Sequence, residues 1–258
     1  RHQSPRMKRR QVMRAVVTGA SSGIGAATVR ALVARGWDVV GVARRADKLA
    51  ALAQETGASY VVSDITRDDD VAAMVAEVTS AGPVHALVNN AGGAIGLERI
   101  EEADIAAWRA MYELNAIGTV QVTKALLPAL LATRAASVLF VTSTAAHRPY
   151  EGGTGYVMAK HAERVLMHTL RMEHNKDDLR VIEIAPGMVH TEEFSLTRFG
   201  GDQARADAVY AGVRNPLTAE DVAEAIAWSL TLPHHVNVDS MVLCPVAQRY
   251  DGSVRRDS

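Results

Sequence analysis

The sequence predicts one α/β domain built on a doubly wound parallel sheet of about seven strands, with helices on both faces. Two observations predict this fold class. Short β-rich runs alternate along the chain with longer segments whose apolar residues recur at three- and four-residue spacing. The β-rich runs are also nearly continuous in Val, Ile and Leu, a composition typical of strands that are buried on both faces.

The predicted strands follow one another along the chain, each separated from the next by a helical pattern. They are residues 14–19, 38–43, 59–64, 85–92, 137–143, 180–187 and 240–246. The segments AATVRALVARG and DVAAMVAEVTSAG show the helical spacing most clearly. Thr66 is expected to cap the second of these helices, with acidic residues in its first turn and Asp69 at the capping-box position.

Length, composition and charge limit the class of protein. The 258 residues fit one large α/β domain better than two independent ones. A formal net charge of −1 gives no reason to expect nucleic acid or a membrane surface as a partner. No stretch approaches about 18 uninterrupted apolar residues, so neither secretion nor a membrane span is expected. The single cysteine, Cys244, fits a reducing compartment, and a cytoplasmic location is expected.

Three segments lie outside the regular alternation. The basic run at residues 1–12 is expected to be a disordered tail, with an interaction arm as the alternative. Residues 13–248 are expected to form the domain, and residues 249–258 a C-terminal tail. Residues 188–216 lack strong periodicity. Loops of this length tend to be lids or binding loops, so a lid is predicted here, with a variable surface insertion as the alternative.

A glycine-rich loop follows the first predicted strand. The stretch VVTGASSGIGAATVRAL places Gly19, Gly23 and Gly25 between that strand and the first helix. Glycines at these positions permit a tight turn and let backbone N–H groups reach a pyrophosphate, which the helix N-terminus then stabilises. Because strand, loop and helix occur in this order, the stretch predicts a dinucleotide site on a Rossmann-like fold.

The end of the second strand indicates which dinucleotide binds. NAD sites usually carry an acidic residue here that holds the ribose hydroxyls, but this strand ends in Ala43, followed by Arg44 and Arg45. A guanidinium suits a 2′-phosphate, so NADP(H) is the predicted cofactor. Asp47 is a rival candidate for the ribose, although it is better placed to cap the following helix. Asp64 is expected either to bind the adenine amino group or to close an Asx-type turn.

Tyr156 and Lys160, in the stretch GYVMAK, lie about one turn apart on the same face of a predicted helix. A nearby ammonium favours the phenolate, so Lys160 is expected to lower the pKa of Tyr156 from its reference of about 10. A phenol tuned toward neutral pH is a usable general acid or base. The pattern therefore predicts an acid–base pair, and a helix that carries both residues by chance is the alternative.

Seven motifs in order along the chain resemble those of the short-chain dehydrogenase/reductase family. They are TGASSGIG (18–25), DI (64–65), NNAG (89–92), LNAIGT (114–119), VTSTAA (141–146), YVMAK (156–160) and APGMVHT (185–191). The resemblance covers about residues 13–247. Its one small departure is Ala146, which stands where a glycine is common.

The resemblance implies roles for individual residues. Tyr156 would give the proton in reduction and take it in oxidation, while Lys160 would lower its pKa and bind the nicotinamide ribose. Ser143 would hydrogen-bond the substrate oxygen, and Asn115 would help to hold a proton-relay water near the lysine. The expected NADP(H)-binding residues are Gly19, Ser21, Ser22, Gly23, Ile24, Arg44, Arg45, Asp64, Ile65, Asn90, Ala91, Gly92, Tyr156, Lys160, Pro186, Gly187, Val189 and Thr191. A homotetramer is also implied, with the helices around 101–132 and 154–175 at its interfaces.

A narrower resemblance concerns the substrate. Residues 148–160, 193–202 and 217–248 are similar to the NADP-dependent 3-hydroxy acid dehydrogenases, also called serine 3-dehydrogenases. This implies a small hydroxy acid such as L-serine, L-allo-threonine or 3-hydroxyisobutyrate, or a semialdehyde. A carboxylate substrate needs a cation near the acid–base pair, and Arg198 in the predicted lid is the first candidate.

Several alternatives stay open. Arg148 is a second candidate for the carboxylate anchor, and Tyr150 and Glu151 are candidate pocket residues. A larger aldehyde or ketone is the alternative substrate, and a non-catalytic NADP-sensing module is the remote alternative. No metal site is expected, because His147 and the pair at 234–235 have no third ligand at suitable spacing.

Overall fold

The centre of the protein is a parallel sheet of seven strands. The computed structural model describes residues 11–249 and 252–257. The sheet strands are β1 Arg14–Thr18, β2 Asp38–Ala43, β3 Ser59–Val62, β4 Ala86–Asn89, β5 Ser137–Val141, β6 Arg180–Pro186 and, numbered after two short strands described below, β9 Met241–Leu243. Each lies within one of the seven runs predicted from the sequence, and most end earlier because the polar residues at their carboxyl ends turn out of the sheet.

The strand order places a crevice at the carboxyl edge of the sheet. The order is β3-β2-β1-β4-β5-β6-β9, so the chain proceeds outward in one direction from β1 and then in the other from β4. In doubly wound sheets the ligand crevice lies beyond the carboxyl ends of the strands at this reversal. The observed topology confirms the predicted fold class.

Helices cover both faces of the sheet. They are α1 Gly23–Ala34, α2 Ala46–Thr56, α3 Asp68–Ser80, α4 Ile105–Tyr112, α5 Gly118–Ala132, α6 Thr154–Glu173, α7 Phe194–Arg198, α8 Gln203–Tyr210 and α9 Ala219–Thr231. Leu32 of α1 and Ile226 of α9 belong to the core on one face, while Leu126 of α5 and Met167 of α6 belong to the core on the other. Two apolar layers therefore enclose the sheet and fix the position of the carboxyl edge where the crevice lies.

The predicted cap of α3 is wrong. The helix begins at Asp68 with Arg67 at the cap position, and the Arg67 side chain makes no capping hydrogen bond. The Thr66 hydroxyl instead donates to Asp64 Oδ1 at 2.7 Å, and the Thr66 amide donates to the same oxygen at 3.0 Å. The carboxylate two residues earlier takes the hydroxyl that the capping box would need. Three aspartates do lie in the first turn, where they stabilise the helix dipole.

Residues 188–216 contain more regular structure than the sequence indicated. Two short strands, β7 Val189–His190 and β8 Leu217–Thr218, pair in parallel and close the base of the segment. Between them lie α7 and α8, which the weak periodicity did not predict because each buries few residues. The Tyr210 hydroxyl donates to the Val189 carbonyl at 2.9 Å and ties the end of α8 to this base. We call residues 188–216 the lid.

The described part of the C-terminal tail packs against the lid. The Asp257 amide donates to the Gly212 carbonyl at 2.8 Å, and the Arg256 guanidinium donates to the carbonyls of Val209 and Ala211. Residues 1–10 of the predicted N-terminal tail lie outside the described residues.

Within the described residues, one helical stretch, Ile105–Ala132, is long and apolar enough to cross a membrane by length and composition alone. Its most apolar window is 44% buried within the protein. The stretch supplies Val122, Leu126 and Leu130 to the core below the sheet, and all three are fully buried. This is the pattern of a core helix rather than of a membrane span.

Candidate active site

A cleft of about 570 Å³ opens at the carboxyl ends of the strands and extends beneath the lid. Its volume is in the range of sites for small molecules and cofactors. Of the residues predicted from the sequence, those lining it are Gly19, Ser21, Ser22, Gly23, Ile24, Arg44, Arg45, Asp64, Ile65, Asn90, Ala91, Gly92, Ser143, Tyr156, Pro186, Gly187, Val189, Thr191 and Arg198. Asn115 and Lys160 lie behind this wall, and both are buried.

The loop between β1 and α1 forms a cradle of close backbone contacts. Gly19 has a φ of +63°, a conformation that favours glycine. A Cβ atom on Gly25 would clash with the Gly19 carbonyl oxygen and lie 2.6 Å from Asn90 Nδ2. The Thr18 hydroxyl accepts the amides of Asn90 and Ala91, both at 3.0 Å, and joins this loop to the one after β4. The cradle at the start of α1 suits a dinucleotide pyrophosphate.

The two arginines after β2 have different surroundings. Arg45 Nη2 donates to the hydroxyls of Ser21 and Ser22, at 2.9 and 3.0 Å, and to Glu193 Oε2 at 2.7 Å. Arg44 is exposed and makes no hydrogen bond within the described part of the chain. Its guanidinium is therefore available to an anionic ligand at the edge of the cleft.

The two acidic residues considered as cofactor contacts, Asp47 and Asp64, have different positions in the structure. Asp47 is exposed, lies outside the lining of the cleft and occupies the first turn of α2. The cap position of that helix is Arg45, so the prediction that Asp47 caps it is wrong by two residues. Asp64 lines the cleft and closes an Asx-type turn through Thr66. The Thr66 hydroxyl bond, aided by Arg44 and Arg67, holds the pKa of Asp64 below its ordinary value.

Tyr156 and Lys160 lie on one face of α6, as predicted, but the predicted fall in the tyrosine pKa is wrong on balance. Tyr156 is 9% exposed, and burial raises the pKa of its phenol because a phenolate would lose its hydration. Lys160, with Nζ 5.9 Å from the ring centroid, lowers that pKa, and so does a hydrogen bond with Ser143. These two effects have the expected sign but are outweighed by burial, so the net shift is upward.

The Lys160 ammonium has a carboxylate partner that the sequence analysis did not assign. Its Nζ donates to Glu163 Oε2 at 2.8 Å and more weakly to the Val141 carbonyl at 3.4 Å. Burial alone would lower the pKa of Lys160, but Glu163 raises it on balance. Burial raises the pKa of Glu163 to about 7, although Lys160 acts in the opposite direction.

Asn115 lies in a π-helical segment, Glu113–Ile117, between α4 and α5. Its Nδ2 donates to the carbonyls of Gly93 and Met111, at 2.9 and 2.8 Å, and its Oδ1 accepts the Gly93 amide. A Cβ atom on Gly92 would lie 2.5 Å from Asn115 Oδ1 and 3.3 Å from Lys160 Nζ. Only glycine fits there, so the floor of the cleft passes close to both side chains.

The far end of the cleft is formed by the lid. Arg198 Nε donates to the Gly96 carbonyl at 3.0 Å and Nη2 to the Tyr150 hydroxyl at 2.9 Å. The guanidinium carbon lies 5.8 Å from the ring centroids of both Tyr150 and Tyr156. The Phe194 ring meets the Tyr156 ring edge to face, with centroids 6.1 Å apart. A cation and an aromatic ring from the lid thus border the tyrosine.

The other candidate pocket residues differ in whether they line the cleft. Tyr150 lines the cleft, whereas Arg148 and Glu151 do not. Glu151 forms an exposed ion pair with Arg99 at 2.9 Å. Among these residues, Arg198 is the cation that faces the tyrosine.

Two of the three histidines considered for metal binding, His147 and His234, have partners elsewhere in the protein. His147 Nε2 lies 3.0 Å from Glu183 Oε1, and His234 contacts the Asp178 carbonyl. Within residues 11–249 and 252–257, no group of three or more His, Cys, Asp or Glu side chains is arranged to hold a metal ion.

Several residues of the site were missed by the sequence analysis, among them Glu163, Glu193, Phe194 and Gln248. Glu193 and Phe194 were quoted only as part of a similar segment, because the path of a lid cannot be read from periodicity. Gln248 accepts the Met188 amide at 2.7 Å across 60 residues of chain. A signal did exist for Glu163, since a carboxylate three residues after a helical lysine faces the same side.

The chain is similar in sequence and in structure to known proteins. The model of the short chain dehydrogenase family matches residues 13–198. An uncharacterized oxidoreductase of Mycobacterium tuberculosis is 53% identical over 231 residues, which cover 90% of each chain. The serine 3-dehydrogenase of Agrobacterium fabrum is 39% identical over 247 residues, which cover 94% of this chain and 98% of the relative. The closed form of a serine dehydrogenase complexed with NADP+ superimposes with a TM-score of 0.89 at 35% identity, covering 95% and 100% of the two chains.

Proposed function

The chain belongs to the short-chain dehydrogenase family and is an NADP-dependent oxidoreductase, and we propose that its substrate is a small 3-hydroxy acid or the corresponding semialdehyde. L-Serine, L-allo-threonine and 3-hydroxyisobutyrate represent the class. The observation that carries this proposal is the Arg198 guanidinium, whose carbon lies 5.8 Å from the Tyr156 ring centroid. When bound, the cofactor supplies or accepts the hydride.

The residues of the cleft fit NADP(H). Gly19 and Gly23 line the cleft at the start of α1, where a helix N-terminus suits the pyrophosphate. Arg44, which has no hydrogen-bond partner among the described residues, lines the cleft at the edge where a 2′-phosphate is expected. Arg45 is the second cation at this edge, and Asp64 lines the wall beside it. We assign the remaining predicted cofactor contacts to the cleft residues named above.

We assign the proton chemistry to Tyr156. Ser143 and Tyr156 both line the cleft, and Ser143 lowers the pKa of the Tyr156 phenol, so we assign both side chains to the same substrate oxygen. In reduction the phenol gives its proton to the carbonyl oxygen while the Ser143 hydroxyl donates a hydrogen bond to that oxygen. In oxidation the phenolate takes the proton back. Lys160 stabilises the phenolate by its charge, and Asn115 holds the floor of the cleft beside Lys160.

The carboxylate preference follows from the lid. Two of the Arg198 nitrogens hold Gly96 and Tyr150, which fixes the plane of the guanidinium. Its third nitrogen, Nη1, makes no hydrogen bond with a described residue. A planar donor of fixed orientation beside the reacting oxygen suits the carboxylate of a short hydroxy acid. Because Arg198 lies close to Tyr156, a substrate that reaches both residues would carry its carboxylate only a few bonds from its reacting hydroxyl carbon.

The alternative is a larger aldehyde or ketone. Phe194, Tyr150 and Tyr210 also line the cleft, and an aromatic wall would accept an apolar substituent. In that case Arg198 would serve only to hold the lid against Gly96. The two proposed substrate classes differ in whether turnover requires a carboxylate on the substrate.

We also propose a homotetramer in the cytoplasm. Met158, Val165 and Met172 form an exposed apolar stripe at seven-residue spacing along α6. Such a stripe suits packing against another helix, and an equivalent helix of a second copy is the proposed partner. Light scattering should give a tetramer mass, and a monomer mass would contradict this proposal.

The deciding experiment is an oxidation assay that follows the absorbance of the reduced nicotinamide. Purified protein is given NADP or NAD with 3-hydroxypropionate and 3-hydroxyisobutyrate, and with their decarboxylated analogues ethanol and 1-propanol. L-Serine, L-allo-threonine and a neutral secondary alcohol complete the panel. We expect NADP-dependent oxidation of the hydroxy acids and none of the decarboxylated analogues. Turnover of the neutral alcohols alone would favour the larger-carbonyl alternative.

A further inference from the structure

A carboxylate without a role in the reaction described above lies next to the acid–base pair. Glu163 is on α6, three residues after Lys160, and its side chain is 0% exposed. Its Oε2 accepts a hydrogen bond from the Lys160 ammonium at 2.8 Å, while its Oε1 is buried and has no hydrogen-bond partner among the described residues. A buried carboxylate with an unpartnered oxygen costs free energy, and an apolar side chain would avoid that cost.

We propose that Glu163 is a positioning residue for the acid–base pair: it holds the Lys160 ammonium and, by gaining or losing a proton, changes how strongly that ammonium acts on Tyr156. The proposal rests on the roles assigned above to Tyr156 and Lys160. It assigns no contact between Glu163 and the substrate.

The geometry makes Glu163 the main partner of the lysine. Of the two acceptors of Lys160 Nζ, the Glu163 oxygen is closer by 0.6 Å than the Val141 carbonyl, at 2.8 against 3.4 Å. An ammonium has three donors, so one donor remains for a ribose hydroxyl. The unpartnered Oε1 can take a proton while Oε2 keeps its bond to Lys160. Protonation therefore changes the charge of the pair without requiring a new contact.

The charge of Glu163 acts on both members of the pair. As a carboxylate it raises the pKa of Lys160 and also raises that of Tyr156, against the effect of the lysine. The titratable groups that act on Glu163 itself are Lys160 on its own helix and Glu183 on β6. Burial and Glu183 raise its pKa to about 7, and Lys160 opposes them. Glu183 is in turn held by Thr142, His147 and Arg164.

Protonation of Glu163 should make Tyr156 a stronger acid. Below about pH 7, Glu163 is protonated, its charge no longer opposes Lys160, and Tyr156 is the stronger acid. Above that pH the carboxylate makes Tyr156 a weaker acid and keeps the ammonium charged. The oxidation rate should therefore show one ionisation near pH 7 in addition to the higher ionisation of the tyrosine.

The test compares pH profiles of kcat/KM for oxidation at saturating NADP, with whichever alcohol of the panel is turned over. The variants are E163Q, E163D and, as a matched control on the exposed end of the same helix, E173Q. We expect E163Q to lose the ionisation near pH 7 and to move the upper one down by about one pH unit. E163D keeps a carboxylate, so its profile should retain the first of the two ionisations. The E173Q profile should match that of the wild type. An E163Q profile of unchanged shape, whether or not kcat falls, would overturn the proposal.

A second measurement needs neither turnover nor a folded variant. Glutamate labelled with carbon-13 at the carboxyl carbon is titrated by NMR in the wild-type protein. Among the described glutamates with a shifted pKa, Glu55, Glu183 and Glu193 shift downward and Glu163 shifts upward, so a glutamate carboxyl that titrates near pH 7 is assigned to Glu163. If none titrates above about pH 6, the proposal fails even where the assay supports the proposed substrate. Failure of the substrate panel would leave this titration unaffected.

Discussion

Arg45 and Glu193 join the cofactor edge of the cleft to the start of α7 in the lid, with Arg45 Nη2 2.7 Å from Glu193 Oε2. The same guanidinium also donates to Ser21 and Ser22 in the glycine-rich loop. A cation expected to meet a 2′-phosphate is thus shared with a lid carboxylate. A bound phosphate would compete with Glu193 for it, and this competition would couple cofactor binding to the position of the lid.

This competition predicts that removing the carboxylate strengthens cofactor binding. E193Q should lower the Kd for NADPH by up to about fivefold, because an exposed ion pair is worth at most about 1 kcal/mol. Fluorescence titration measures the Kd, and E192Q on the exposed neighbouring residue is the control. Weaker binding by E193Q would mean that the carboxylate aids the cofactor rather than competing with it.

Arg44 should carry the preference for NADPH over NADH. R44A removes the guanidinium that has no hydrogen-bond partner among the described residues, and it should raise the KM for NADPH by about tenfold or more. The KM for NADH should change little, because NADH has no 2′-phosphate. Steady-state kinetics with both cofactors measures the difference. An equal effect on both would remove Arg44 from this role.

Tyr156 should be required for chemistry and not for cofactor binding. Y156F keeps the ring that packs against Phe194 and removes only the hydroxyl. Turnover should fall by at least about a thousandfold, since the proton donor and a hydrogen bond to the substrate oxygen are both lost. The Kd for NADPH, measured by fluorescence, should stay within about twofold of the wild type. Substantial residual turnover would refute the assignment.

Replacing Arg198 should raise the KM for hydroxy acids and leave the KM for neutral alcohols nearly unchanged. R198A removes a charge-assisted carboxylate contact of about 2 to 3 kcal/mol, so the KM for a 3-hydroxy acid should rise by about 30- to 150-fold. The KM for a neutral alcohol should not rise in parallel. R148A, at an arginine outside the lining of the cleft, serves as the control. An unchanged KM for the acid would place the anchor elsewhere.

Glu183 should stabilise the folded protein in a pH-dependent way. Burial tends to raise its pKa, but hydrogen bonds from Ser240 and Thr142 and the charges of His147 and Arg164 lower it on balance. A lowered folded-state pKa stabilises the protein above the unfolded value of 4.5, and that stability is lost as the pH falls through the folded value.

Urea unfolding provides the measurement for this residue. E183Q should reduce the free energy of unfolding at pH 7 by about 3 kcal/mol, because it leaves His147 and Arg164 without their carboxylate. The difference between variant and wild type should shrink as the pH falls below about 4.5. A deficit that stays constant over this range would indicate lost packing rather than lost charge.

The extent of sequence-based prediction differs between elements. The seven sheet strands were predicted because a strand buried on both faces needs a nearly continuous apolar run, and Val138 to Val141 of β5 illustrate it. The lid helices and the β7–β8 pair were not predicted, since short exposed elements carry little periodicity. The Thr66 cap failed because the outcome depended on competition with Asp64 for one hydroxyl.

Local spacing and sequential order determined the fold class, the glycine cradle and the pairing of Tyr156 with Lys160 on one face of α6, because these depend on residues close together in the chain. Only the tertiary structure decided the electrostatics of that pair. The pKa of Tyr156 depends on how completely other elements exclude water from it, and the state of Lys160 depends on Glu163 being enclosed between α6 and the sheet. Burial is a property of the whole packed chain, so no local pattern could show that it outweighs the lysine.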